Sequence, residues 1–318
     1  MTRRIRVPKN PGKPFLQSLD ELTFSKPRQV VRMAEKAVDR IDPYLIPRLL
    51  GVYGSALRRL VRLPEAQGAL TAAIRQAQEL GDLKLKASLV QRLAYVPGER
   101  GDHHDALILS IRAANLFDLC EDVCGYGRCL VDQGLWRFHL GLFEESMASN
   151  RRALDILPVS ERRHRYSALV GQAYNLQRLG DPDRALRYIR SSSEIASGLG
   201  TALLASFLVV NGRILEDLQR PLEACRAYAE AAETFFEAEI LLDCALAGAH
   251  QVRLLGELGL HDEACDIAKN MARLIGKIDS PPAVGLLTEL IRQAVAGRVH
   301  SASAICTKLE GIQNTPST

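Results

Sequence analysis

The sequence predicts an all-α protein assembled by repetition, and three observations carry that reading. Four columns of mostly small residues recur every 39 to 40 positions across six consecutive repeats. Glycine and proline fall where one helix would end and the next begin. Aromatic residues are only 5% of the 318, with Trp136 the sole tryptophan, whereas β-sandwiches fill their strands with aromatic and β-branched residues.

The first column is Ala66, Ala106, Ser146, Ala185, Ala224 and Ala264. Seven positions later stand Ala73, Ala113, Ala153, Ser192, Ala231 and Met271; twelve positions earlier stand Gly54, Ala94, Gly134, Ala173, Gly212 and Val252. Residues seven apart share one helix face two turns on, so the first pair of columns marks a helix in close contact with its neighbours. The column twelve positions earlier lets a preceding helix approach. Between them, five positions before the first column, come Val61, Gly101, Gly141, Gly180, Gln219 and Gly259. Glycine there fits a left-handed C-terminal cap. Each repeat is therefore helix, tight turn, helix. Pro64, Pro182 and Pro221 open second helices, where the missing N–H costs nothing.

Taken in order, residues 1–26 form a basic arm expected to be disordered. Five of the 41 basic residues and none of the 37 acids lie in its first 14 positions, so the remainder has a net charge of −1 and exerts no global pull on nucleic acid. Phe15 to Leu22 is interrupted by Gln17, Ser18, Asp20 and Glu21, which argues against a secretory signal. Residues 27–41, with Val30 and Ala37 seven apart, predict a lone second helix. Six full repeats follow. Residues 281–310 predict a degenerate final pair, with Gly297 at the turn, Ala302 beyond it and Leu290 where a small residue belongs. Residues 311–318 are expected to be a disordered tail. Atypical ends suit the capping units of a repeat array.

With these columns in register, the chain over residues 27–310 resembles the tetratricopeptide repeat family. The period of 39 to 40 resembles the longer-repeat bacterial and kinesin-light-chain-like versions rather than the common 34-residue form, and the proline that often ends the second helix appears only at Pro158. The resemblance implies a continuous right-handed superhelical solenoid of antiparallel helix pairs, one domain, with about six full repeats and atypical capping helices. It also implies that the first helix of each pair lines the concave side.

Motifs for catalysis are lacking. There is no glycine-rich phosphate loop, HExxH pair, nucleophile elbow or Cys-x-x-Cys. Cys120, Cys124 and Cys129 lack a fourth ligand at zinc-like spacing and read as small buried fillers. In His103-His104-Asp105 the acid takes the place that Glu65, Glu145, Glu223 and Glu263 hold elsewhere, favouring a helix N-terminus. We expect no enzyme activity, no metal and no cofactor. Seven cysteines without framework spacing suit a reducing cytoplasm, and no apolar run reaches the roughly 18 residues that cross a bilayer.

Helix periodicity selects one stripe on each first helix, apart from the small-residue stripe. Its 36 places hold eight arginines, Arg48, Arg58, Arg59, Arg92, Arg128, Arg178, Arg213 and Arg253, and five acids, Glu99, Asp132, Glu216, Asp217 and Glu257. Arginine is 32 of 318 residues, so the stripe is enriched about twofold. Tyr95 and Tyr174 join it with Gln91 and Gln177. Arginine forks and tyrosine faces suit a peptide carrying carboxylates; a solvated groove would also carry charge simply because it is wet. A ladder of amides, Gln133, Gln172, Asn211 and Gln251, is read as bonding within the stack.

The expected function is that of a non-catalytic scaffold or adaptor holding a protein or peptide, with Arg48, Arg92, Tyr95, Arg128, Tyr174, Arg178, Arg213 and Arg253 as the partner-binding residues. An alternative is a sensing subunit acting on a transcription factor, sigma factor or protease. Residues 1–26 are too short and proline-rich for a helix-turn-helix, so that role would need a partner. Nucleic-acid binding through the arm is the least favoured reading, and no membrane partner is expected.

Overall fold

The first helices and second helices alternate along the chain as the columns dictate. A computed structural model describes residues 7–23, 26–278, 281–296 and 302–314. The described residues fall into two compact units that divide after Glu161. Unit one contains α1 (Lys13–Leu22), α2 (Pro27–Ala37), α3 (Ile46–Arg59), α4 (Leu63–Glu79), α5 (Leu83–Arg100), α6 (His103–Leu119), α7 (Val123–His139) and α8 (Phe143–Ile156). Unit two contains α9 (Arg162–Arg178), α10 (Pro182–Ser197), α11 (Thr201–Asp217), α12 (Pro221–Glu237), α13 (Leu241–Glu257), α14 (His261–Ile275), α15 (Pro281–Val295) and α16 (Ala302–Asn314). Within each unit every helix packs on its successor. Joined by tight turns, consecutive helices run antiparallel. No strand occurs among the described residues.

The turns explain the glycine column. Gly101, Gly141, Gly180 and Gly259 have φ between 76° and 90°, and Val61 and Gln219 adopt the same left-handed conformation at 60° and 56°. After each, the next N–H reaches back to the carbonyl five residues earlier, as in Arg62 to Leu57 at 3.0 Å and Arg220 to Leu215 at 2.9 Å. This reversed bond satisfies a helix-end carbonyl and stops the helix. Turns from second to first helix repeat the device at Gly81, Glu121 and Glu239, a series the column reading did not include.

The three small columns within the helices are buried throughout, while the turn column is not. Ser146 Oγ donates to the Gly134 carbonyl at 2.7 Å, so the first column faces the one twelve positions earlier across the hairpin. A Cβ on Gly54 would lie 2.7 Å from Leu70 and 3.3 Å from the Ala66 carbonyl, which excludes a side chain at that crossing. Tyr228, Phe117, Leu70, Leu176 and Ile214 fill the wider spaces between helices.

Three expectations change at the ends. Residues 13–22, assigned to the arm, form α1, which buries Phe15, Leu16 and Leu19. Their spacing makes one apolar face that the interruptions by Gln17, Ser18 and Asp20 leave intact. α2 therefore has a helical neighbour and is not alone, although Val30 and Ala37 are buried as expected. α16 runs to Asn314, four residues into the expected tail; Gly297 lies outside the described residues. The described residues divide into two compact units close to Pro158. α8 stops two residues before that proline, and Leu157 is already extended at φ −72° and ψ 125°, because proline's ring disfavours the helical conformation of the residue before it.

Candidate partner-binding face

First helices approach one another along each stack: α3 meets α5 and α5 meets α7 in unit one, while α9 meets α11 and α13 meets α15 in unit two. Second helices make no comparable approach among the described residues. Crowded first helices and separated second helices place the first-helix face on the inner side of the curve within each unit. The arginine stripe lies on that face.

In unit one the stripe is an inter-repeat network. Arg48 Nη2 pairs with Asp82 at 2.9 Å, and Arg58 pairs with Glu99 while its guanidinium lies 5.0 Å from the Tyr95 ring centre. The Tyr95 hydroxyl donates to Asp132, which also accepts from Gln91 Nε2 at 2.7 Å. Asp132 is buried, and that burial pushes its carboxyl up to about 6 against the bonds from Tyr95 and Gln91. Burial, then the adjoining carboxylate, holds the Tyr95 phenol well above its usual range. Arg92 forks onto Asp20 of α1 at 2.8 and 2.9 Å and touches Ser55 at 3.1 Å. Arg128 lies 3.4 Å from Glu161.

In unit two the network converges on the last helix. Glu310 of α16 accepts from Arg213 Nη2 at 2.6 Å and lies 2.9 Å from His250 Nε2. His250 and then Arg213 hold that carboxyl below the usual range against an opposing effect of burial. Tyr174 stands beside Arg213, with its phenol raised chiefly by burial. Arg253 pairs with Glu216 and, at 3.1 Å, with Glu257. Tyr228 donates to Glu216 at 2.6 Å and stacks on His250 with ring centres 4.8 Å apart. Gln177 donates to Asp217. Arg178 is exposed and has no partner among the described residues.

All five stripe acids are thus engaged by the basic, phenolic or amide groups of the same face. Of the eight residues selected from sequence, Tyr174, Arg213 and Arg253 gather around α16, Tyr95 joins Asp132, and Arg48, Arg92 and Arg128 each hold an acid. Sequence reasoning missed Asp20, His250 and Glu310. His250 sits at a stripe position fourteen residues before Ala264 and was legible there; the two acids lie in segments read as arm and degenerate cap.

The remaining chemistry is structural. Cys129 is buried and all seven cysteines are unbridged. His103 stacks on His139 with ring centres 4.6 Å apart, and Trp136 is buried with its Nε1 donating to Ser110 at 2.9 Å. Of the amide ladder, Gln133 and Gln172 are buried, while Asn211 and Gln251 are half-buried. No cluster of three metal-binding side chains occurs among the described residues. No helix there is long and apolar enough to cross a membrane.

No known family profile matches the sequence, and no curated protein matches it. Solved structures do. A Rap protein complexed with competence and sporulation factor is similar with a TM-score of 0.64 and 16% identity, covering 94% of this chain and 86% of that one. A signal-transduction ATPase with a tetratricopeptide repeat sensor, from Pyrococcus horikoshii, gives 0.69 and 14% over 95% of this chain, which spans 46% of that longer protein. The apo quorum sensor NprR from B. thuringiensis gives 0.57 and 12%, covering 88% of this chain and 87% of that one. The fold is that of the tetratricopeptide-type helical repeats.

Proposed function

We propose that this chain is a non-catalytic adaptor that captures a peptide or protein segment bearing carboxylates on its first-helix faces. The observation that carries the reading is the seat of Glu310: a carboxylate on a helix, held by Arg213 from α11 and approached by His250 from α13. The stripe therefore has the chemistry to take an acidic segment, and charge-assisted bonds of this kind give both strength and orientation. The Rap protein's complex with competence and sporulation factor, on the same fold, supports the same use of the solenoid. A sensing subunit that passes capture on to a regulatory partner is the second reading, favoured by the sensor and quorum-sensor structures of this fold. Seven unbridged cysteines support placement in the cytoplasm.

The test is selection of binders from a displayed peptide library on the full-length chain, with affinity read by anisotropy of a labelled winner. Arg128→Ala, Arg178→Ala and Arg213→Ala should give winners enriched in Asp and Glu at least one variant that binds tenfold or more weakly. Removing residues 1–6 should leave binding unchanged. Winners indifferent to all three arginines, but lost with residues 1–6 and steeply weakened by salt, would transfer the function to the basic arm.

A further inference from the structure

α16 does not sit where a second helix belongs. In every complete hairpin the second helix packs chiefly on its own first helix, as α4 does on α3 and α12 on α11. α16 instead packs more on α13, the first helix of the preceding pair, than on α15. No other second helix makes a comparable contact with the preceding first helix among the described residues. The C-terminal helix has moved from the outer layer onto the inner face of unit two.

Its contacts are those of a bound amphipathic helix. Ala302, Ile305, Cys306 and Leu309 are buried at spacings of three, four and seven, one continuous face of a helix. Glu310 follows directly at the edge of that face and reaches Arg213 and His250. Cys306 lies beside Arg253, with burial raising its thiol to about 12. Arg213, one of the arginines that sequence reasoning assigned to a partner, is thus occupied by α16, and Arg253, already paired with Glu216 and Glu257, stands beside it.

We propose that α16 is an internal occupant of the partner site in unit two, and that the true partner is an amphipathic helix of another protein with a carboxylate next to its last buried apolar residue. This rests on the adaptor reading and adds a gate to it: capture requires α16 to leave. Among the side chains of α16 described, Ile305 and Leu309 are the large aliphatic ones in its buried face. A helix with a larger apolar face and the same carboxylate would displace it without any other rearrangement of α11 and α13. The occupant is matched to the site in both respects that define a helix ligand, the apolar spacing and the charged group.

The experiment uses the full-length chain and a labelled synthetic peptide spanning residues 302–314. Leu309→Asp places a charge in the buried face and should release α16 in place. The free peptide should then bind the variant at least tenfold more tightly than the native chain, and a peptide carrying Glu310→Gln should bind several-fold more weakly. Glu310→Gln in the full chain is the milder companion: residues 302–310 should exchange amide hydrogen faster, while α9 and α10 keep their protection. Equal peptide binding by native and Leu309→Asp chains would overturn the proposal. So would loss of helix throughout unit two in Leu309→Asp with unchanged exchange in Glu310→Gln, which would make α16 a structural cap. A library-selected peptide that needs Arg128 or Arg178, yet ignores Leu309→Asp, would remove this gate and keep the adaptor. Winners indifferent to every arginine would remove the adaptor instead.

Discussion

Asp132 shows how a stripe residue can be both inside the protein and on its binding face. It is buried on α7, accepts from Tyr95 and Gln91, and titrates at about 6 because burial outweighs those bonds. In an unfolded chain the same carboxyl titrates near 4. Between about 4 and 6, folding therefore takes up a proton. This group's contribution to stability falls as pH rises through that window, and the loss is complete above it. Asp132→Asn keeps an acceptor for Tyr95, and the Gln91 amide can turn to present its oxygen to the new Nδ2. Relative to the native chain, the variant should gain about 3 kcal/mol between pH 4 and pH 7. Urea titrations followed at Trp136, whose ring centre lies 5.3 Å from that of Tyr95, would measure the difference. A difference that stays flat with pH would show that the burial is relieved by water. At this scale the sequence was only partly legible. Periodicity placed Tyr95, Arg213 and Arg253 on one stripe of the first helices, because a helix repeats every 3.6 residues whatever its neighbours. It did not reveal their partners, because Arg92 with Asp20 and Arg213 with Glu310 join residues 72 and 97 positions apart.

The hairpin is the element whose construction was most visible in advance. Small columns announced close crossings, and glycine announced left-handed turns. Val61 and Gln219 are the exceptions that reveal the force behind the column, since the turn is formed even where its residue disfavours it. An L-residue in that conformation costs roughly 1–2 kcal/mol, and glycine avoids the cost while giving back some entropy in the unfolded chain. Gln219 is exposed and its amide makes a long 3.5 Å bond to the Glu216 carbonyl of the same turn, so Gln219→Gly should stabilise the protein by about 0.5–1 kcal/mol in thermal or urea unfolding. Gly259→Gln, the reverse change in the next repeat, should destabilise it by a similar amount. A destabilised Gln219→Gly, or a Gly259→Gln as stable as the native chain, would show the turn conformation to be incidental. α1 and α16 were illegible as inner-face elements for a different reason. α1 lies outside the repeat, so no column aligns with it; α16 keeps Ala302 in the first column, but only docking against α13 defines its place.

For the whole molecule, the repeat period fixed the helix pairs but not the division after Glu161, which falls where the chain leaves α8 at Leu157 and turns over residues 158–161. Both units use the same plan. Each holds an inner face of first helices with an arginine-rich stripe, and each has a terminal helix whose acid meets one of those arginines: Asp20 on Arg92 and Glu310 on Arg213. Repeat arrays present such faces because each helix pair adds a similar strip of surface to the last. The central claim is that these faces receive the partner. Hydrogen–deuterium exchange on the full-length chain, with and without a library-selected acidic peptide, tests it most directly. Slower exchange confined to the first helices, α3, α5 and α7 or α9, α11 and α13, is the result the account predicts. Protection confined to second helices such as α4, α6, α10 and α12, with the first helices unchanged, would contradict it.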